Sequence, residues 1–128
     1  MAFIDFKIEG ERELNRNINL YQRYMDIEVQ SAVEETISFI VEKAKANAPE
    51  DTGELKASIE GTVKRISSDI LNGYIEVKAP HGAIVEFGTV YIHERPYLVP
   101  ALEEGISLLE RKLRSAHQRA CKRLRINP

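Results

Sequence analysis

One apolar stripe constrains this chain more than any other feature. Leu14, Ile18, Tyr21, Met25, Val29, Val33, Ile37, Ile40 and Ala44 follow one another at steps of three and four. That spacing places side chains on one face of an α-helix. The pattern predicts a helix over residues 11–47, about 55 Å long at 1.5 Å per residue. Asp26 interrupts the pattern as a candidate kink. A chain of 128 residues has little with which to cover so long a stripe, so part of it is expected to face a neighbouring subunit.

The helix has to stop before Pro49, which lacks an N–H and pushes Ala48 out of the helical region. Asp51 and Thr52 are good N-cap residues, and Glu54, three residues after Asp51, completes the spacing of a capping box. Gly53 allows a sharp bend. Pro49, Asp51, Thr52 and Gly53 are therefore read as a structural turn that ends one helix near Asn47 and starts a short one near Thr52. Beyond it, Ile59, Gly61 and Val63 lie at period two and predict a strand over residues 59–67. Ile75, Val77 and Ala79 predict another over 73–79. The two form an antiparallel hairpin, with Asn72-Gly73 as the turn signal in a connection long enough to project.

Upstream, Ile4, Phe6 and Ile8 alternate with charged residues and predict a half-buried strand over residues 2–8. Residues 80–98 are broken up by proline and glycine. Within them, residues 83–87 fit a helical turn, and Val90, Tyr91 and Ile92 fit a short strand at the sheet edge. Leu102, Ile106, Leu109, Leu113, Ala116, Ala120 and Leu124 restore the helical step over residues 99–124. Pro100 suits the first turn of that helix, and Gly105 weakens it slightly. The fold class is α+β: a small antiparallel sheet packed against a long N-terminal helix and a C-terminal helix, in one domain spanning 1–128.

With 43% apolar and 30% charged residues, the composition is that of an ordinary soluble protein. No apolar run approaches the ~20 residues that cross a bilayer, and the N-terminus has no signal-peptide pattern. Cys121 stands alone, which excludes an internal disulfide and suits a reducing compartment. The formal net charge of −2 hides an asymmetry. Residues 1–110 carry 11 Lys and Arg against 20 Asp and Glu; residues 111–128 carry seven Lys and Arg and no acid. A helix dipole accounts for cations in a last turn but not over four turns. Arg114 and Arg119 within this stretch are read as contacts to the next subunit or to DNA.

No constellation for catalysis is found: no nucleophile elbow, no phosphate-cradling glycine loop, no cysteine–histidine setting for Cys121 and no metal-ligand spacing among His81, His93, His117 and Cys121, the three histidines all being read as surface residues. No catalytic, cofactor-binding or metal-binding residue is assigned. Glu86, between Val85 and Phe87, is the one carboxylate in an apolar setting, and its expected role is a cap or an inter-subunit ion pair.

Two segments together resemble a known family. The first is the helix ending Ala46-Asn47-Ala48-Pro49, followed by Asp51-Thr52-Gly53-Glu54-Leu55 and Ser58-Ile59. The second is Val85-Glu86-Phe87-Gly88-Thr89, followed by Pro96-Tyr97-Leu98-Val99-Pro100-Ala101-Leu102. In order, over roughly residues 30 to 105, they resemble the bacteriophage tail-component family named after gene product 10 of phage HK97. Tyr97 stands where phenylalanine is usual. The resemblance implies a structural protein of the phage neck or tail: a tail-completion, tail-terminator or head–tail joining component. It implies a ring of identical subunits that contacts other neck and tail proteins, located in the virion and made in the host cytoplasm. Phage DNA passes through such rings, so non-specific contact with it is also implied. The alternative is a nucleic-acid-binding module built on the basic helix end, against which stand the acidic remainder of the chain and the lack of interleaved aromatics.

Pro96 and Pro100 hold the short stretch between them extended. Phe87 and Leu98 are expected in the core. Thr89, Tyr91, Ile92 and Tyr97 are expected in a contact with an adjacent subunit or tail protein, since large apolar residues in an irregular segment favour the surface and Tyr is a common interface anchor.

Overall fold

The structure, a computed structural model, describes residues 11–49 and 53–125. The strand expected over residues 2–8, and Asp51 and Thr52 of the turn, lie outside the described residues. Six elements follow in order: α1 (Glu11–Asn47), α2 (Glu54–Ala57), β1 (Ile59–Arg65), β2 (Leu71–Val77), α3 (Gly82–Phe87) and α4 (Val99–Arg123). The fold is α+β, as the periodicities predict.

α1 is the spine. Its 37 residues run without a break through Asp26. Gly53, at φ 74°, takes the left-handed conformation and occupies the N-cap of α2. The cap position thus falls later than Asp51 and Thr52, and Glu54 is the first residue of the short helix rather than its third.

β1 and β2 pair antiparallel from Ile59 opposite Val77 to Arg65 opposite Leu71. The hairpin lies along α1 on the face that carries Gly61, Val63, Gly73 and Ile75. A Cβ on Gly61 or Gly73 would overlap Ile37, so these two glycines let the sheet lie close on the helix. This explains why Asn72-Gly73 is not the turn. It sits inside β2, and the reversal falls at residues 66–70, where Ile66 N–H donates to Ile70 O at 2.9 Å. There Asp69 N–H also donates to Ser67 Oγ at 3.3 Å, the local side-chain closure that serine favours in turns.

α4 runs antiparallel to α1 on another side. Lys43 reaches Glu104 at 3.5 Å, Lys112 pairs with Glu35, Arg119 pairs with Glu28 at 2.8 Å, and the Arg123 guanidinium lies 5.4 Å from the Tyr24 ring. The pairs step along both helices at one pace. Since Arg123 meets Tyr24, the first ten or so residues of α1 extend past the end of α4, roughly 15 Å of helix. Leu14 and Ile18 on that extension are exposed.

The two helices meet through small side chains. Ala44, Ala101, Ala116 and Ala120 are fully buried, and Gly105 is buried against Ile40. Helix propensity alone marks Gly105 as a weak point in α4; packing makes it the place where the helices touch. A side chain there would overlap Ile40, which is itself buried. Gly105→Val is expected to destabilise the protein by about 2 kcal/mol through overpacking. Its thermal midpoint should fall by roughly 5–10 °C, measured by circular dichroism against the wild type.

Candidate functional site

A buried carboxylate organises the segment between α3 and α4. Glu86 is only 4% exposed. One oxygen, Oε2, accepts from the backbone N–H of Tyr97 and of Leu98, each at 2.8 Å. The other, Oε1, accepts from the N–H of Val99 at 2.8 Å. These are the unpaired donors at the start of α4, where Leu98 is the N-cap residue and supplies no capping side chain. The carboxylate also meets the positive end of the helix dipole. Pro100 has no N–H, and Leu102 N–H already bonds Leu98 O at 2.9 Å. Glu86 therefore acts as a cap delivered from 12 residues upstream of its N-cap position. The cap role expected for it is found; the inter-subunit ion pair is not what holds it.

Tyr97 completes this base. It is 1% exposed and, with Ile59, the largest fully buried side chain among the described residues. Its hydroxyl donates to Gly82 O at 3.1 Å, and Asn47 Nδ2 donates to its carbonyl at 3.3 Å. Burial, with the Glu86 carboxylate adding to it, pushes the Tyr97 phenol above its ordinary pKa. Its expected place at an interface is thus corrected: Tyr97 joins α1, α3 and α4 in the core.

Between the two ends of this clamp, residues 88–96 form a loop with its own hydrogen bonds. Gly88, at φ 75°, turns the chain out of α3, and its N–H donates to Ile84 O at 2.7 Å. A Cβ there would stand 2.9 Å from Ile92 O. Thr89 N–H donates to Ile92 O at 2.9 Å. Thr89 Oγ1 accepts from the N–H of Tyr91 at 3.2 Å and of Ile92 at 3.0 Å. Arg95 N–H returns to Val85 O at 2.8 Å. The backbone is held, but the apolar side chains point out: Val90 and Tyr91 are each 95% exposed, with Phe87 at 70% and Ile92 at 52%. Two expectations fail here. Residues 90–92 form no strand, because Thr89 draws the backbone donors of Tyr91 and Ile92 into the turn. Phe87 is outside the core, while Leu98 is packed against it.

The basic helix end is less open than its charge run implies. Lys112 and Arg119 pair with Glu35 and Glu28 of α1, and Arg123 stacks on Tyr24. The hydrogen bond and charge of Lys112 hold the Glu35 carboxyl below its usual pKa. The hydrogen bonds that it donates to Glu28 and Tyr24 hold Arg119 above its own. Arg119, read as an intermolecular contact, thus has its acid partner within the chain. Arg114 is exposed, as are Arg111, Lys122 and Arg125.

His117 also departs from expectation. It is half-buried, with Nδ1 2.8 Å from the Tyr21 hydroxyl and its ring edge-on to Tyr21. Cys121, one turn along α4, places Sγ 3.6 Å from Nε2. The signal in the sequence was the four-residue step between His117 and Cys121 on the buried face. Among the described residues no three His, Cys, Asp or Glu side chains gather to hold a metal ion, and no helix is long and apolar enough to cross a membrane.

Fold and site together define a small α+β protein built along one long helix, with a clamped apolar loop at one end. The sequence profile of a family described as "Bacteriophage HK97-gp10, putative tail-component" matches residues 12–88. The chain belongs to this family of phage tail components. The matched span begins earlier than the two motifs and ends at Gly88, so the motif at residues 96–102 stands outside it. No curated protein matches the chain, and no solved structure does.

Two outcomes are expected at the clamp. Glu86→Ala leaves three N–H groups at the start of α4 without their acceptor and should cost about 3 kcal/mol. Glu86→Gln keeps one accepting oxygen and should cost less; equal losses for the two, by chemical denaturation, would refute the cap. The second concerns alkaline stability. The unfolded chain releases a tyrosine proton near pH ~10, and folded Tyr97 releases its own only at higher pH. Its contribution is therefore complete below about pH 10 and is lost as pH rises through the folded value. The thermal midpoint of Tyr97→Phe should fall less steeply than that of the wild type across this alkaline window.

Proposed function

We propose that this tail component acts in the phage neck or tail as a ring of identical subunits, completing or joining the tail by protein contact rather than by catalysis. The observation that carries this reading is the loop at residues 88–96, whose backbone is fixed while Val90 and Tyr91 stand almost fully in solvent. Exposed apolar side chains on a preordered backbone suit a protein interface, since little conformational freedom is lost when they are covered. Thr89, Tyr91 and Ile92 remain in the proposed contact; Tyr97 supports it from beneath.

Arg111, Arg114, Lys122 and Arg125 give the ring a secondary means of touching DNA without sequence preference. The pairing of Lys112, Arg119 and Arg123 with α1 leaves less charge for that purpose, which argues against nucleic-acid binding as the main role. The proposed location is the virion, after synthesis in the host cytoplasm.

Changing Tyr91 to Ser together with Ile92 to Asp tests the reading. The variant should keep its circular dichroism spectrum and thermal midpoint within a few degrees, because both residues are exposed. It should fail to assemble in mass measurements across concentration and fail to complete tails. Normal tail completion by this variant would sink the proposal.

A further inference from the structure

A second apolar feature lies at the other end of α1. Ile18, Met25, Val29 and Val33 on α1, with Leu71 at the start of β2, line a groove of about 540 Å³ between the helix and the hairpin. Asp26 and Asp69 stand on its rim with Arg65. The volume falls within the roughly 300–1,000 Å³ of clefts that enclose a drug-sized molecule, so it has room for an aromatic side chain and a neighbour. Ile18, half exposed, is at its open end.

We propose that this groove receives the loop at residues 88–96 of the next copy of the chain, Tyr91 and Ile92 entering it. The inference rests on the ring reading above and names the surface that the loop meets. Three observations support it. First, knob and groove belong to different ends of one molecule. The loop is based where Asn47 meets Tyr97, whereas the groove centres near Met25, about 33 Å away along α1. A protruding patch and a concave one are covered by unlike patches of a neighbour, and a head-to-tail contact does this while leaving each copy one knob or one groove to offer the next. Second, the same contact removes from water Tyr91 and Ile92 of the loop and Ile18 of α1, all exposed. Third, the polar rims match. His93, beside Ile92, donates an N–H in either tautomer and faces a rim with two carboxylates, Asp26 and Asp69. Glu94 meets the Arg65 guanidinium, which so far donates to Ser68 O at 3.3 Å and Gln30 Oε1 at 3.2 Å and has further N–H groups to give.

The test uses two variants of the full chain, Tyr91→Asp in the knob and Ile18→Glu in the groove. Both positions are exposed, so both proteins should keep the wild-type circular dichroism spectrum. Each alone should raise the concentration for self-association by roughly tenfold or more. Mixed in equal amounts, they should form a heterodimer and stop there, because only one intact knob meets one intact groove. Native mass spectrometry, with one variant tagged, reads this directly. If Ile18→Glu assembles like the wild type while Tyr91→Asp does not, the loop docks elsewhere: the groove assignment falls and the ring reading stands. A wild type that stays monomeric at every concentration overturns both. If Ile18→Glu only lowers the monomer's thermal midpoint and leaves association untouched, Ile18 serves the folding of its own chain, and the proposal is again overturned.

Discussion

The Glu86 carboxylate is the contact on which the rest of the arrangement depends. α4 begins with no side chain of its own to satisfy its first donors, and Glu86 supplies both oxygens to three consecutive N–H groups. A charged acceptor at a helix start is worth more than a neutral one, because hydrogen bonding and dipole act together. Burial makes the same contact stringent, since a buried carboxylate without partners is costly. Fixing the start of α4 against α3 fixes the direction in which α4 runs along α1. It also sets the separation of the two loop ends, so that core packing and loop shape share one origin.

Charge has a second, softer role. Acidic residues on α1 face basic residues on α4 at Glu35–Lys112 and Glu28–Arg119. These pairs are partly solvated, and pairs of that kind contribute about 0–1 kcal/mol each and weaken with salt. They cannot be what holds the helices together; the buried alanines and Gly105 do that. What they supply is register, because a one-turn slip along the helices would separate Glu35 from Lys112 and Glu28 from Arg119. The asymmetry of charge along the chain is therefore in part an internal matter of matching two helices, and only its unpaired remainder is directed outward.

How much of this was legible in the sequence follows from how local each signal is. α1 and α4 were legible because their periods repeat over many turns. The hairpin was legible as two alternating runs, but its turn was misplaced. Asn72-Gly73 looks like a turn signal, and only the approach of Ile37 shows that Gly73 is needed for packing. Residues 87–97 carry no period at all, and there the expectations for Phe87 and Tyr97 came out reversed. The partner that decides Tyr97 is Gly82 O, 15 residues away, and no spacing rule reaches that far. Lys112 and Arg119 find their acids 77 and 91 residues upstream, so a basic run read alone looks free. Glu86 was legible as a cap from its apolar neighbours, and α4's lack of a Ser, Thr, Asp or Asn cap was the unused clue to which helix it serves.

A loop can present Val90 and Tyr91 to solvent and still keep one shape only if its backbone donors are taken up elsewhere. Thr89 does this within the loop, through one hydroxyl accepting two N–H groups, and Arg95 N–H ties the returning end of the loop to α3. The side chains then contribute nothing to the loop's own order, which leaves them available for a partner. The converse holds beneath them: Tyr97, fully buried, contributes to stability and offers no contact surface. Within a few residues the chain thus separates what holds the subunit together from what it offers to a neighbour. In the proposed assembly that separation lets a change at Tyr91 alter association with little effect on folding, whereas a change at Glu86 or Tyr97 disturbs both, because it moves the base on which the loop stands.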